Sequence, residues 1–130
     1  MTYFEEKLPQ EIIAFIRENF DLSPDYLFST PDIAVFRHQS GKWFAVLMNI
    51  PHRKLGLNRD GNVDIINLKC PPELISLLLD GQTYFRGYHM NKEHWLTVFL
   101  DENITLDELA PLILQSHSLT SIKQKRTARP

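Results

Sequence analysis

Apolar positions follow two different periods along this chain, and each change of period marks an element. From Pro9 to Asn19 the period is helical. Ile12, Ile13 and Ile16, continued by Phe20, make one stripe, with Glu11, Arg17 and Glu18 opposite. Pro9 suits a first helical turn, and Phe4–Leu8 leaves open an earlier one. Asp21 to Asp25 reads as a loop, kept extended by the Ser23-Pro24 and Thr30-Pro31 steps. The period then falls to two. Ile33–His38 and Lys42–Ile50 read as strands joined at Gln39-Ser40-Gly41, and Pro51 ends the second. His52 to Gly61 is a basic loop closed by an Asp-Gly turn, and Val63–Leu68 is a third strand of the same meander.

The second half mixes the two periods. Pro72 to Asp80 reads as a short helix apolar on more than one side, with Gly81 placed to cap its end. Tyr84–Tyr88 reads as a short strand leading to a firmer one at Trp95–Leu100. In the last helix Thr105 and Glu108 have the spacing of a capping box, and Ile104 with Leu109 that of a hydrophobic staple. Pro111 falls in its second turn, where it should kink the helix. The order α-βββ-α-(β)β-α implies an α+β fold in two layers, an antiparallel sheet with helices on one face.

Length makes this one domain over residues 1–119, able to bury about two-thirds of its unfolded surface. Residues 120–130 read as a flexible basic tail. The hydrophobic and charged fractions, 43% and 23%, are those of an ordinary globular protein. No apolar run reaches the roughly 18 residues of a membrane span, and the acidic start is unlike a signal peptide. A single cysteine, Cys70, excludes an internal disulfide and fits a cytoplasmic location.

The net charge of -2 is unevenly spread. Residues 1–36 hold two basic and seven acidic groups, and residues 37–92 eight basic and four acidic. Residues 93–117 hold five acids and no Lys or Arg, and the tail four bases and no acids. Any positive surface must therefore come from the middle segment or the tail.

Polar chemistry and a strong structural signal coincide in one stretch. Just before the Trp95 strand stand His89, Asn91, Lys92, His94 and Trp95, in the order H-x-N-K-x-H-W-x-T-V-x-L-D. This order resembles the signature of the MmcQ/YjbR family of small bacterial proteins. Ala34-Val35-Phe36-Arg37-His38, Gly41-Lys42-Trp43-Phe44-Ala45 and Asn67-Leu68-Lys69-Cys70 add to the resemblance, which extends over nearly the whole chain. It implies a two-layer fold similar to type III secretion chaperones. It also implies DNA binding through two hairpin wings, for which the Gln39–Lys42 turn and the 52–61 loop are the candidates. Pro71, where many relatives have a capping Asp, and Asn103, where a small turn residue is common, depart from the pattern.

His89 and His94, five apart, share no face of a helix or strand, so no metal or cofactor is expected there. Asn91 and the two imidazoles are expected to bond backbone groups of the irregular segment. Cys70, before two prolines at a strand end, reads as buried and inert. Asp101, Glu102, Asp107 and Glu108 suit a helix N-terminus. The phosphate-facing candidates are Arg37, Lys42, Arg53, Lys54, Arg59, Arg86 and Lys92, interleaved with His38, Trp43, His52 and Tyr88. The expectation is a non-catalytic binding module with weak, sequence-indifferent DNA binding. The alternative is a protein-interaction or chaperone-like module, and third an enzyme using the His-Asn-Lys-His stretch.

Overall fold

The computed structural model describes residues 4–27 and 30–121. Its elements are α1 (Lys7–Phe20), β1 (Asp25–Tyr26), β2 (Ile33–Arg37), β3 (Trp43–Pro51), β4 (Asn62–Lys69), α2 (Pro72–Leu78), β5 (Tyr84–Arg86), β6 (Trp95–Phe99) and α3 (Leu106–Leu119). The strands form one antiparallel sheet in the order β1-β2-β3-β4-β6-β5. The expected α+β arrangement is present with one strand more. β1, read as loop, is held at the edge by pairing with Ala34 and Val35 and by the Asp25 carboxylate on Arg37 at 2.6 Å.

Strand alternation assigns the two faces. Ala34, Leu47, Ile66 and Val98 form one cross-strand row, and Phe36, Ala45, Leu68 and Leu96 the next. Both rows are buried with Ile12 and Ile16 of α1, Ile75 of α2, and Leu109 and Ile113 of α3, so all three helices cover this face. The opposite face carries a smaller core of Ile50, Val63, Ile65 and Phe99. None of the three α-helices covers it; Leu55 of a short 3-10 helix (His52–Leu55) and the loop residues Leu57 and Tyr88 do.

Several boundaries differ from the sequence reading. α1 begins at Lys7, which leaves Pro9 in the first turn, where its missing N–H forfeits no intrahelical bond. α2 ends at Leu78 rather than Asp80. Gly81, with φ +70°, does not cap it but sits in the following turn. There the Asp80 carboxylate accepts the N–H groups of Gln82, Thr83 and Tyr84 at 2.9, 2.8 and 2.9 Å. The capping box of α3 is complete, and both staple residues, Ile104 and Leu109, are buried. Pro111 lies inside α3 with its ring exposed.

One bulge shapes the end of the sheet that meets α3. Phe36 opposes Ala45 and Arg37 opposes Trp43, so Phe44 is an extra residue in β3. Phe44 and Ala45 consequently both enter the helix-side core. The Phe44 carbonyl, freed from the ladder, accepts from the buried Ser116 hydroxyl, which itself accepts the Lys69 N–H at 2.8 Å. α3 thus ties β3 to β4 just beyond their last pair, Ala45 and Leu68. Beside this tie His117 stacks on Phe20 at 3.7 Å and lies 4.3 Å from the His38 ring. Burial, and then the neighbouring His38, hold His117 below the ordinary histidine pKa. Thr120, assigned to the tail by sequence, is buried and bonds the His38 ring at 2.8 Å. The remainder of that tail, 122–130, lies outside the described residues.

Cys70 is buried at the end of β4, and burial pushes its thiol pKa up to about 11. A thiol so buried holds almost no thiolate at neutral pH. A thiol-specific chromogenic reagent should therefore react with the native protein much more slowly than with the denatured chain. Equal rates would show an open, activated cysteine.

Candidate functional site

The segment joining β5 to β6 is built around a buried polar pair. Asn67 of β4 and Thr97 of β6 oppose each other on the helix-free face, and neither is accessible to solvent. Such groups are costly in an apolar sheet unless satisfied. Here the backbone of Tyr88 satisfies them. Its N–H donates to Thr97 Oγ1 at 2.8 Å, its carbonyl accepts from Asn67 Nδ2 at 3.0 Å, and the Thr97 hydroxyl donates to Asn67 Oδ1. Gly87 makes the approach possible. A Cβ there would lie 2.8 Å from the Cβ of Trp95, whose carbonyl accepts the Gly87 N–H at 3.0 Å.

The motif side chains divide between backbone bonding and exposure. Asn91 Oδ1 accepts the Glu93 N–H at 2.8 Å, and Lys92 Nζ donates to the Gly87 carbonyl at 2.7 Å. For Asn91 a backbone bond is the role expected of it, whereas Lys92, a phosphate-facing candidate, has its ammonium on a backbone carbonyl. The imidazoles behave otherwise than expected. His89, at φ 59°, packs its ring on Tyr88 at 4.1 Å, His94 is exposed, and neither ring has a hydrogen-bond partner among the described residues. Trp95 is only 8% exposed. Gly87 was not singled out from sequence, and Asn67 stood there only as part of the Asn67–Cys70 stretch, with no role given to it. The available signal was an amide in the middle of an otherwise apolar strand.

The basic candidates do not share one surface. β3 runs from Trp43 to Pro51, a length of about 30 Å. The Gln39–Lys42 turn lies at one of its ends and the 52–61 loop at the other, so the two expected wings are separated by the strand itself. Arg37, Lys42, Arg86 and Lys92 belong to the first end, and Arg53, Lys54 and Arg59 to the second. Arg53 is also held by Asp60 at 2.9 Å and Asn58 at 3.0 Å within its own loop.

At the first end a different set comes together on the helix-free face. Arg37 is opposite Trp43, and Lys69 is opposite Trp95. β3 and β4 are neighbours, so the two cation–indole pairs, Arg37–Trp43 and Lys69–Trp95, stand on four adjacent strands, each just beyond the last β3–β4 pair, Ala45 and Leu68. Three inter-strand spacings spread the two pairs over about 15 Å. The Lys69 ammonium sits 5.6 Å from the Trp95 ring centroid, within cation–π range. Lys42 and Lys92 flank the pairs in sequence.

The second end is acidic. A cavity of about 840 Å³ opens between the starts of α1 and α3 and the ends of β3 and β4, lined in part by Glu6, Lys7, Asn49, Asp64, Asp101 and Asp107. Asp64, 9% exposed, accepts from Asn49 Nδ2 at 2.8 Å, and Asn49 Oδ1 accepts from Asn62 Nδ2 at 2.8 Å. Burial raises the Asp64 pKa, the Asn49 bond lowers it, and the Glu6 carboxylate raises it again, leaving it above the ordinary value. Among the described residues no three His, Cys, Asp or Glu side chains are grouped to hold a metal, and no helix is long and apolar enough to cross a membrane.

The fold and sequence have relatives. The Bacillus subtilis (strain 168) protein YyaQ, described as uncharacterised, is 42% identical over 113 residues, covering 85% of this chain and 96% of that protein. A crystal structure of a Pseudomonas syringae protein superposes with a TM-score of 0.80 at 43% identity, covering 85% of this chain and 97% of the other. A domain of the DUF419 type in the Deinococcus radiodurans protein DR2400 shares the fold, with a TM-score of 0.68 at 24% identity over 91% of this chain and 81% of that one. The YjbR family model matches residues 20–119, which take in the bulge, the Asn67–Thr97 pair and the whole 87–95 segment; the chain belongs to the YjbR family.

Proposed function

We propose that this chain is a non-catalytic binding module that holds nucleic acid weakly, without regard to sequence, at the end of the sheet bearing Arg37, Trp43, Lys69 and Trp95. One observation carries this reading: two cation–indole pairs, Arg37–Trp43 and Lys69–Trp95, stand at one end of four neighbouring strands, on the face that α1, α2 and α3 leave uncovered. Lysine and arginine neutralise phosphates and release counterions, while a half-exposed ring such as Trp43 can meet a base. The acidic cavity lies at the opposite end, so a polyanion docked on the pairs avoids it. Reading of base edges would need a helix or ribbon carrying Arg, Asn or Gln into the major groove. α1 balances Lys7 and Arg17 against Glu11 and Glu18, and α3 begins with Asp107 and Glu108, so sequence discrimination is not part of the proposal.

The test is an anisotropy titration of labelled duplex and single strand at two salt concentrations. Binding should fall with a log–log slope of about -0.9 per phosphate contacted. Lys42→Ala/Lys69→Gln should weaken it and flatten that slope, whereas Arg53→Ala/Lys54→Ala, a strand length away, should leave it unchanged. The reverse pattern would overturn the proposal. A chain truncated after Ser121, which keeps the Thr120–His38 bond, separates the domain from the basic tail. No binding at low salt would favour a protein partner instead, for which Leu77 of α2, 81% exposed, is the first surface to vary.

A further inference from the structure

Two imidazoles meet where the last turn of α3 docks against the turn between β2 and β3. The His117 ring stacks on Phe20 with 5° between the planes, stands edge-on to Phe44 at 4.9 Å and lies 4.3 Å from the His38 ring. His38 Nε2 bonds the Thr120 hydroxyl at 2.8 Å. That hydroxyl has one hydrogen, directed to the Ser116 carbonyl at 2.8 Å, so its oxygen accepts from His38. His38 can therefore take up a proton and keep this bond, and the carbonyls that end α3 favour the charge. A second proton, on His117, would set two cations side by side in a half-buried aromatic site. Among the described residues no carboxylate forms an ion pair with His117 to offset them. We propose that the His38–His117 pair is an acid-sensitive latch, which holds residues 117–121 against the β2–β3 turn until both rings are protonated.

The latch needs no ligand and stands apart from the nucleic-acid reading. Its release has a built-in limit at Ser116, whose hydroxyl is fixed to the Phe44 carbonyl and the Lys69 N–H. Beyond that point Ser118 and Leu119 are exposed and only Thr120 is buried, so little else holds the turn. The charges on neighbouring elements do not replace His38. From β2, Arg37 precedes His38 and is held on Asp25. From α1, Phe20 lies beside Asp21, with Arg17 one turn back. From β3, Phe44 is two residues past Lys42, and α3 itself has no other ionisable residue after Glu108. Burial first, and then His38, are what act on His117 and hold its pKa below the ordinary value. The hold is thus complete above the ordinary histidine range and is lost as the pH falls through that range to the lower pKa of His117 itself.

Hydrogen exchange of the full-length ¹⁵N-labelled chain tests the proposal, read as protection factors so that the intrinsic pH dependence of exchange cancels. Between about pH 7.5 and about pH 5, either side of the ordinary histidine pKa, the protection of the Thr120 amide should fall by about tenfold, the equivalent of one pKa unit. The Ile66 amide, in the middle of β4, should keep its protection over the same interval. His117→Phe can stack on Phe20 but cannot titrate, so its Thr120 amide should be equally protected at both pH values. His38→Gln keeps a donor for Thr120 and removes the neighbouring charge. In that variant the carbon-bound ring protons of His117 should titrate at a higher pH than in the parent, a readout that serves even if His117→Phe fails to fold. Three results would each overturn the latch: Thr120 protection in the parent that does not change with pH, an undiminished fall in folded His117→Phe, or a His117 titration that His38→Gln does not move.

Discussion

Trp95→Ala should lower the stability of the protein by about 3–5 kcal/mol, the loss typical of removing a large aromatic from a packed site. The residue opens β6 at the point where three segments meet. Its N–H donates to the Asn91 carbonyl at 3.0 Å, its carbonyl receives the Gly87 N–H at 3.0 Å, and the Lys69 ammonium rests against its ring. Alanine retains both backbone bonds, so what is lost is the packing of the indole and its hold on Lys69. Denaturant unfolding would measure the difference. A variant within about 1 kcal/mol of the parent would show that the site collapses around alanine and that the indole is not what fixes the segment. Asn91→Ala should be much milder, under about 1 kcal/mol, because the Glu93 N–H it serves is on an exposed residue that water can satisfy.

The elements with a clear period were legible: α1, β2 to β4 and β6 by alternation, and α3 by its capping box and staple. Two-residue β1 was not, because nothing local makes Asp25 and Tyr26 a strand. They become one through the edge of β2 and the Arg37–Asp25 ion pair, both distant in sequence. The separation of the two basic loops was legible in principle. Successive turns of an antiparallel meander lie at opposite ends of the strand they share, so a nine-residue β3 already parts them. The cation–indole pairing was not legible, since Lys69 meets Trp95 only through the register of β4 against β6. The acidic cavity was half visible. The sequence shows two acid-rich segments, but only the fold brings the starts of α1 and α3 together over Asp64.

Asn67→Ala should cost about 3 kcal/mol, and the reason differs from that for Trp95. Removing the amide leaves the Tyr88 carbonyl and the Thr97 hydroxyl without their partner in a part of the sheet closed to water, at about 1–3 kcal/mol for each buried group left unsatisfied. Thr97→Val is nearly isosteric, so it tests the polar term almost free of cavity effects. It strands the Tyr88 N–H and should cost about 2 kcal/mol. Both variants release the same peptide, so the double variant should lose clearly less than the sum of the two singles. Hydrogen exchange gives a second reading. The Tyr88 amide should be protected in the parent and exchange much faster in either variant, while the Ile66 amide, in the middle of β4, should lag behind. Strictly additive losses, or a Tyr88 amide that exchanges freely in the parent, would mean that Asn67 and Thr97 stabilise the sheet separately. The 87–95 segment would then be held by Gly87 and Trp95 alone.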